Sequence, residues 1–148
     1  MALSHQKIAQ TVYDYMDACT SGDADRIAAW FEPDAVHYFP PGMYDGPFRG
    51  AQTIATRWAA AVATLGSRWT VDAVAVDTES QTAVCEWTHF KVRDDVLLRG
   101  TEWYEFSARG LITEIRAYYA SPQEASLAAL ELGGFDYAGR GYPLNPAS

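Results

Sequence analysis

An α+β domain is predicted from three features of the sequence. Apolar residues recur at helical spacing in two long stretches of the first 65 positions, whereas Gln81–Ser121 reads as three consecutive antiparallel strands. In 83–91, 98–106 and 111–119 apolar and polar side chains are mixed in the way that suits sheets with two different faces. Arg93-Asp94-Asp95 and Ser107-Ala108-Arg109-Gly110 have the length and turn chemistry of hairpin connections, which makes the run a meander. Each face of that meander needs its own cover, and the helical stretches are available to supply one.

Taken in order, Ser4 is placed to cap a helix in which Ile8, Val12, Tyr15, Met16 and Cys19 keep helical spacing until Ser21-Gly22 stops it. Asp23 can cap a second, short helix running through Ile27, Trp30 and Phe31, after which Glu32-Pro33-Asp34 is expected to turn the chain. Residues 35–39 form a short strand, cut off by Pro40-Pro41-Gly42. Residues 43–50 form a loop, and a third helix over Ala51–Leu65 carries the stripe Ile54, Trp58, Val62 and Leu65. Arg68–Asp77 is a strand in which Trp69, Val71, Ala73 and Ala75 alternate with Thr70, Asp72 and Val74. Beyond the meander, Glu124–Leu132 is helix-like and Gly133-Gly134 ends it. The aromatic residues of the tail, Phe135, Tyr137 and Tyr142, favour an arm packed on its own or a neighbouring subunit. This divides the chain into a domain over residues 1–122 and a C-terminal helix and arm over 123–148.

The chain of 148 residues is long enough for one substantial core, and 49% hydrophobic content separates it from disordered proteins. A net charge of -8 with no basic run repels phosphate backbones and anionic membranes, so neither nucleic acid nor a membrane is expected as a partner. Cys19 and Cys85 lack metal-type spacing, and buried free thiols are the simpler reading. The first ten residues lack a signal-peptide core and no stretch approaches 18 apolar residues, pointing to a soluble cytoplasmic protein.

The order helix, helix, strand, helix, then four long strands, with Ser21-Gly22-Asp23 after the first helix and Glu32-Pro33-Asp34-Ala35-Val36 opening the first strand, resembles the nuclear transport factor 2-like superfamily. More narrowly it is similar to the SnoaL-like branch, whose relatives include ketosteroid isomerase, limonene epoxide hydrolase, scytalone dehydratase and polyketide cyclases. The resemblance covers about residues 5–121 and implies a cone, or cystatin-like roll: a curved antiparallel sheet wraps the N-terminal helices and leaves a deep apolar cavity. It also implies which alternate side chains face inward. These are His37 and Phe39 on the first strand, Trp87 and His89, Glu102 and Tyr104, then Ile115, Ala117 and Tyr119, with Tyr15 from the first helix. By the same comparison Tyr15 matches the oxyanion-hole tyrosine of ketosteroid isomerase and Glu102 matches its protonated carboxylic acid. That family's carboxylate base is replaced by Phe39, which disfavours its isomerisation mechanism. The Asp-Arg-Asp set of limonene epoxide hydrolase reads Trp87, His89 and Ala117, which disfavours that mechanism too.

The residues themselves support acid–base chemistry. A carboxyl group enclosed by Trp, Tyr and Phe loses hydration in its charged form, so Glu102 is a candidate hydrogen-bond donor that could stabilise an enolate or alkoxide together with Tyr15. The alternative is an ion pair with an arginine at the rim. With no carboxylate at position 39, His37 or His89 is the candidate base, although each could equally be a satisfied core or surface histidine. With Arg93–Asp95 as the loop, His89 sits opposite about Leu98, leaving Glu102 about 13 Å away along the strand at 3.3 Å per residue. That separation counts against a facial triad of two histidines and a carboxylate, and neither metal nor cofactor is expected. Phe39, Trp58, Trp87, Tyr104 and Tyr119 would suit a flat, apolar, ring-bearing substrate, or simply core. Trp103, Glu105, Arg116 and Tyr118 have the opposite parity and belong to a convex face fit for a homodimer contact. Residues 40–47 stand where a lid or a stiff turn would close the cavity.

The expected activity is that of a cofactor-free enzyme moving protons on a hydrophobic cyclic substrate such as a polyketide, terpenoid or steroid-like molecule, with cyclase, isomerase, dehydratase and hydrolase outcomes all open. A non-catalytic binder of small apolar molecules and a dimeric scaffold are the alternatives.

Overall fold

The computed structural model describes residues 1–119 and 132–142, so most of the expected helix over 124–132 and the end of the tail lie outside the described residues. Helix α1 (His5–Ser21) begins where Ser4 Oγ accepts from the Lys7 N–H and ends at Gly22 in the left-handed region. Gly22 is doubly required, since a Cβ there would also lie 2.9 Å from Val62 Cγ1. Asp23 caps α2 (Ala24–Ala28), accepting from the N–H groups of Asp25 and Arg26. Helix α3 (Ala51–Leu65) closes the helical layer.

The sheet has six strands in the order β2-β1-β6-β5-β4-β3, namely β1 (Phe31–Tyr38), β2 (Phe48–Arg49), β3 (Ser67–Asp77), β4 (Thr82–Lys91), β5 (Val96–Phe106) and β6 (Ile112–Tyr118). Among the described residues only the β1–β6 pair is parallel. Helix α1 packs its buried stripe, Ile8, Val12, Tyr15, Met16 and Cys19, into the core on the inner face of the sheet. Each fully buried aliphatic side chain contributes about 1.5–3 kcal/mol there.

Two expectations are corrected. Helix α2 stops before Trp30, and Phe31 already pairs with Ile112 on β6, so Glu32-Pro33-Asp34 lies within β1 and not in a turn. The β1–β6 register breaks between Phe31 and Val36, which is where Pro33, having no N–H, can be held without loss to the ladder. On β3 the alternation does not run through. A bulge at Asp72 inverts the phase, leaving Ala73 and Ala75 exposed while Val74 and Val76 join Trp69 and Val71 against the core. Asp72 is fixed on the outer face by Thr88, which donates at 2.6 Å and itself accepts from Arg99.

The described part of the arm, residues 132–142, packs on the outer face of its own sheet. Leu132 and Phe135 bury against Tyr38, beside Val36, Tyr118 and Tyr137. Glu114 takes hydrogen bonds from both Arg116 and Arg140, and Arg140 lies 4.3 Å over the Phe135 ring. Arg116 is thereby buried on a face where Trp103 stays 42% exposed. Among the described residues no helix is long and apolar enough to cross a membrane.

Candidate active site

Strand register sorts the inward side chains into rows. Behind the site lies a row of Ala83, Tyr104, Ile115 and His37, and the next holds Cys85, Glu102 and Ala117 with Phe39 beside them. Then come Trp87 opposite Gly100, with Tyr119 following β6, and finally His89 opposite Leu98. Successive rows stand about 6.6 Å apart, two residues of strand rise. All ten inward positions named from the resemblance are buried.

A hollow runs from the Glu102 row to the His89 row, roofed by Tyr15 and Cys19 of α1, Trp58 of α3, and Met43 and Tyr44 of the loop. It is much narrower than the deep cavity expected, because aromatic side chains fill most of the cone. The space left to the centre of a water molecule is about 30 Å³, room for a water or two. A ring-bearing molecule enters only if the roof moves, and Tyr44, resting on Phe39 at 4.6 Å and Phe48 at 4.7 Å, is its outermost aromatic.

Glu102, His89, Tyr15, Phe39, Trp58, Trp87 and Tyr119 reach the hollow; His37 and Tyr104 stand one row deeper, directly behind Glu102. Tyr104 donates from its hydroxyl to Glu102 Oε2 at 2.6 Å, and His37 Nε2 lies 3.6 Å from Glu102 Oε1. No arginine contacts this carboxyl among the described residues. His37 Nδ1 is 3.3 Å from the Tyr38 carbonyl oxygen, which can only accept, so the neutral ring carries its proton on Nδ1 and turns the Nε2 lone pair toward Glu102. Phe39 stacks on the imidazole at 4.2 Å and fixes its plane. His37 Nε2 thus faces Glu102 Oε1 just beyond hydrogen-bond reach, a separation that a small movement of either side chain would close.

Burial pushes the Tyr15 hydroxyl well above the ordinary phenol range, with the neighbouring Cys19 and the charge of Glu102 adding to the rise. Tyr15 is thus a donor at every physiological pH. Its oxygen accepts from Trp58 Nε1 at 3.2 Å, and the weakly accepting sulfur of Cys19 lies beside its proton. His89 is held differently. It shares a 2.8 Å hydrogen bond with Ser67, stacks on Trp69 at 4.4 Å, and is pushed down to about 4 by burial and then by Lys91. It is a neutral imidazole at the mouth, and a weak base. Among the described residues no three His, Cys, Asp or Glu side chains converge as a metal site would require. Sequence reasoning placed Tyr104 as a substrate contact; its hydroxyl in fact supports Glu102, a role that β5 parity hinted at by putting both on one face.

The model for the SnoaL-like domain matches residues 12–115. This chain belongs to the SnoaL-like family. A protein of unknown function with a cystatin-like fold from Methylobium petroleophilum PM1 is 53% identical over 100% of this SnoaL-like chain and 98% of its own, with a TM-score of 0.93. A proposed polyketide cyclase from Sinorhizobium meliloti superposes with a TM-score of 0.61 at 20% identity, covering 73% of this chain and 93% of its own. The epoxide hydrolase/cyclase-like enzyme SalBIII, which acts in pyran ring formation in the polyether salinomycin, gives 0.65 at 14% identity over 88% and 97%. At those identities the last two share the fold of this SnoaL-like protein, the α+β roll that its element order led us to expect. No curated protein matches its sequence.

Proposed function

We propose that this SnoaL-like protein is an acid–base enzyme that moves a proton on an apolar cyclic substrate, with Glu102 as the group that touches it. One observation carries the reading: a carboxyl lines an aromatic hollow while His37 and Tyr104 hold it from behind. In this reading the Glu102 carboxylate takes a proton from a carbon or hydroxyl of the substrate. With that proton on Glu102, the acid returns it elsewhere on the molecule. Tyr15, a hydroxyl kept protonated by burial, donates to the substrate oxygen where negative charge develops. His37 is a positioning residue, since it does not reach the hollow. Names given to distant relatives, a cyclase and an epoxide hydrolase/cyclase-like enzyme, agree with chemistry of this class.

The test needs no knowledge of the natural substrate. Cyclic ketones such as 2-tetralone have an acidic C–H, and its exchange with D2O, followed by proton NMR, reports proton abstraction directly. Wild-type protein is expected to accelerate exchange and Glu102→Gln to abolish the acceleration. Exchange no faster than in buffer, or equal rates for the variant, would overturn the assignment. Binding of the ketone without exchange would establish instead a ligand-binding protein.

A further inference from the structure

Among the described residues two buried side-chain nitrogens lack a hydrogen-bond partner, His37 Nε2 and Trp87 Nε1. The first faces Glu102. The second has no such explanation, and an indole nitrogen can only donate. No group among the described residues accepts from it, so the acceptor it needs has to come from what occupies the hollow.

Its setting is built with care. Trp87 lies opposite Gly100, and a Cβ on Gly100 would stand 2.7 Å from Trp87 Cζ2 and 3.0 Å from Cη2, so the indole lies across the space that a side chain on β5 would fill. Tyr119 closes against it at 5.6 Å, ring edge to face. The ring is therefore held in the wall of the hollow, in the row between Glu102 and His89. Phenylalanine would give the same apolar wall without an unpaired donor.

We propose that Trp87 determines specificity by donating its indole N–H to an oxygen of the bound molecule. The ligand is then an oxygenated ring compound, a cyclic ketone or ether, and not a hydrocarbon of the same shape. This rests on the hollow being the ligand site, as the proposed function requires.

The probes are 1-tetralone and tetralin, which share a ring skeleton and differ by the carbonyl. In the 15N-labelled protein the Trp87 indole resonance is assigned by its loss in Trp87→Phe or, should that variant not fold, by its proximity to the Gly100 amide. With 1-tetralone the resonance is expected to move downfield, and with tetralin to stay. The ratio of ketone to hydrocarbon affinity is expected to fall on the order of five- to tenfold in Trp87→Phe, the worth of one hydrogen bond. Binding of both probes with an unchanged ratio and equal indole shifts would overturn the role of Trp87 and leave the proposed function standing. Binding of neither probe to wild-type protein would overturn both.

Discussion

Replacing Gly100 by alanine probes the packing that holds Trp87 in the wall. The backbone there is an ordinary extended strand paired with Trp87 of β4, so alanine has no conformational objection and would gain about 0.4–1 kcal/mol from a stiffer unfolded chain. Against this, its Cβ would meet Trp87 Cζ2 at 2.7 Å, Trp87 Cη2 at 3.0 Å and the Tyr118 carbonyl oxygen at 3.0 Å. Neither neighbour yields easily, because the indole is pinned by Tyr119 and the carbonyl belongs to the β-sheet. Overpacking of this kind costs about 1–3 kcal/mol, so a net destabilisation of about 1–2 kcal/mol is expected by urea unfolding. In a Trp87→Leu background the indole atoms are gone and the cost of Gly100→Ala is expected to drop by about 1 kcal/mol, a coupling that a double-mutant cycle measures. A neutral or stabilising Gly100→Ala, or the same cost in both backgrounds, would refute the packing described.

Three other outcomes are expected. Tyr104→Phe removes the buried donor to Glu102 and is expected to cost about 1.5–3 kcal/mol, the range for a hydrogen bond to a charged group; an unchanged urea midpoint would contradict that bond. For His89, a folded value of about 4 against the usual 6.5 means that the unfolded chain takes up the proton first. Stability is then complete above about 6.5 and falls toward pH 4 by on the order of 3 kcal/mol, and His89→Gln is expected to flatten that part of the curve. A curve of identical slope in the variant would count against the burial assigned to His89. A homodimer through the convex face would be centred on exposed Trp103, so light scattering should find wild-type dimer and Trp103→Glu monomer. A wild-type monomer at micromolar concentration would remove that interface.

Most of the fold was legible because strand phase is a local property. Alternation in 83–91, 98–106 and 111–119 puts Trp87 with His89, Glu102 with Tyr104, and Ala117 with Tyr119 on one face of their strands, the resemblance to the SnoaL-like branch implied that this face is the inner one, and the pairing of His89 with Leu98 followed from the length of one hairpin. The phase failed on β3, where Asp72 inserts a bulge stabilised by Thr88 and Arg99, partners far away in sequence. Similarly, Pro33 reads as a turn residue, and only the broken β1–β6 ladder makes a place for it in a strand. The site was legible in membership but not in depth. His37 and Glu102 had inward parity, yet their meeting depends on β1 lying parallel to β6, a crossover that no local pattern encodes. The narrowness of the hollow likewise comes from the packing of rings supplied by α1, α3, β3, β4 and the chain that follows β1 and β6.

That the His37 ring stands behind Glu102 with Nε2 turned toward its carboxyl is tested most directly by 15N NMR of the His37 ring, which distinguishes its two nitrogens without any substrate. The expected result is a neutral ring with its proton on Nδ1, and an Nε2 signal that changes in Glu102→Gln. A neutral ring carrying its proton on Nε2, indifferent to position 102, would contradict the arrangement on which the proposed chemistry rests.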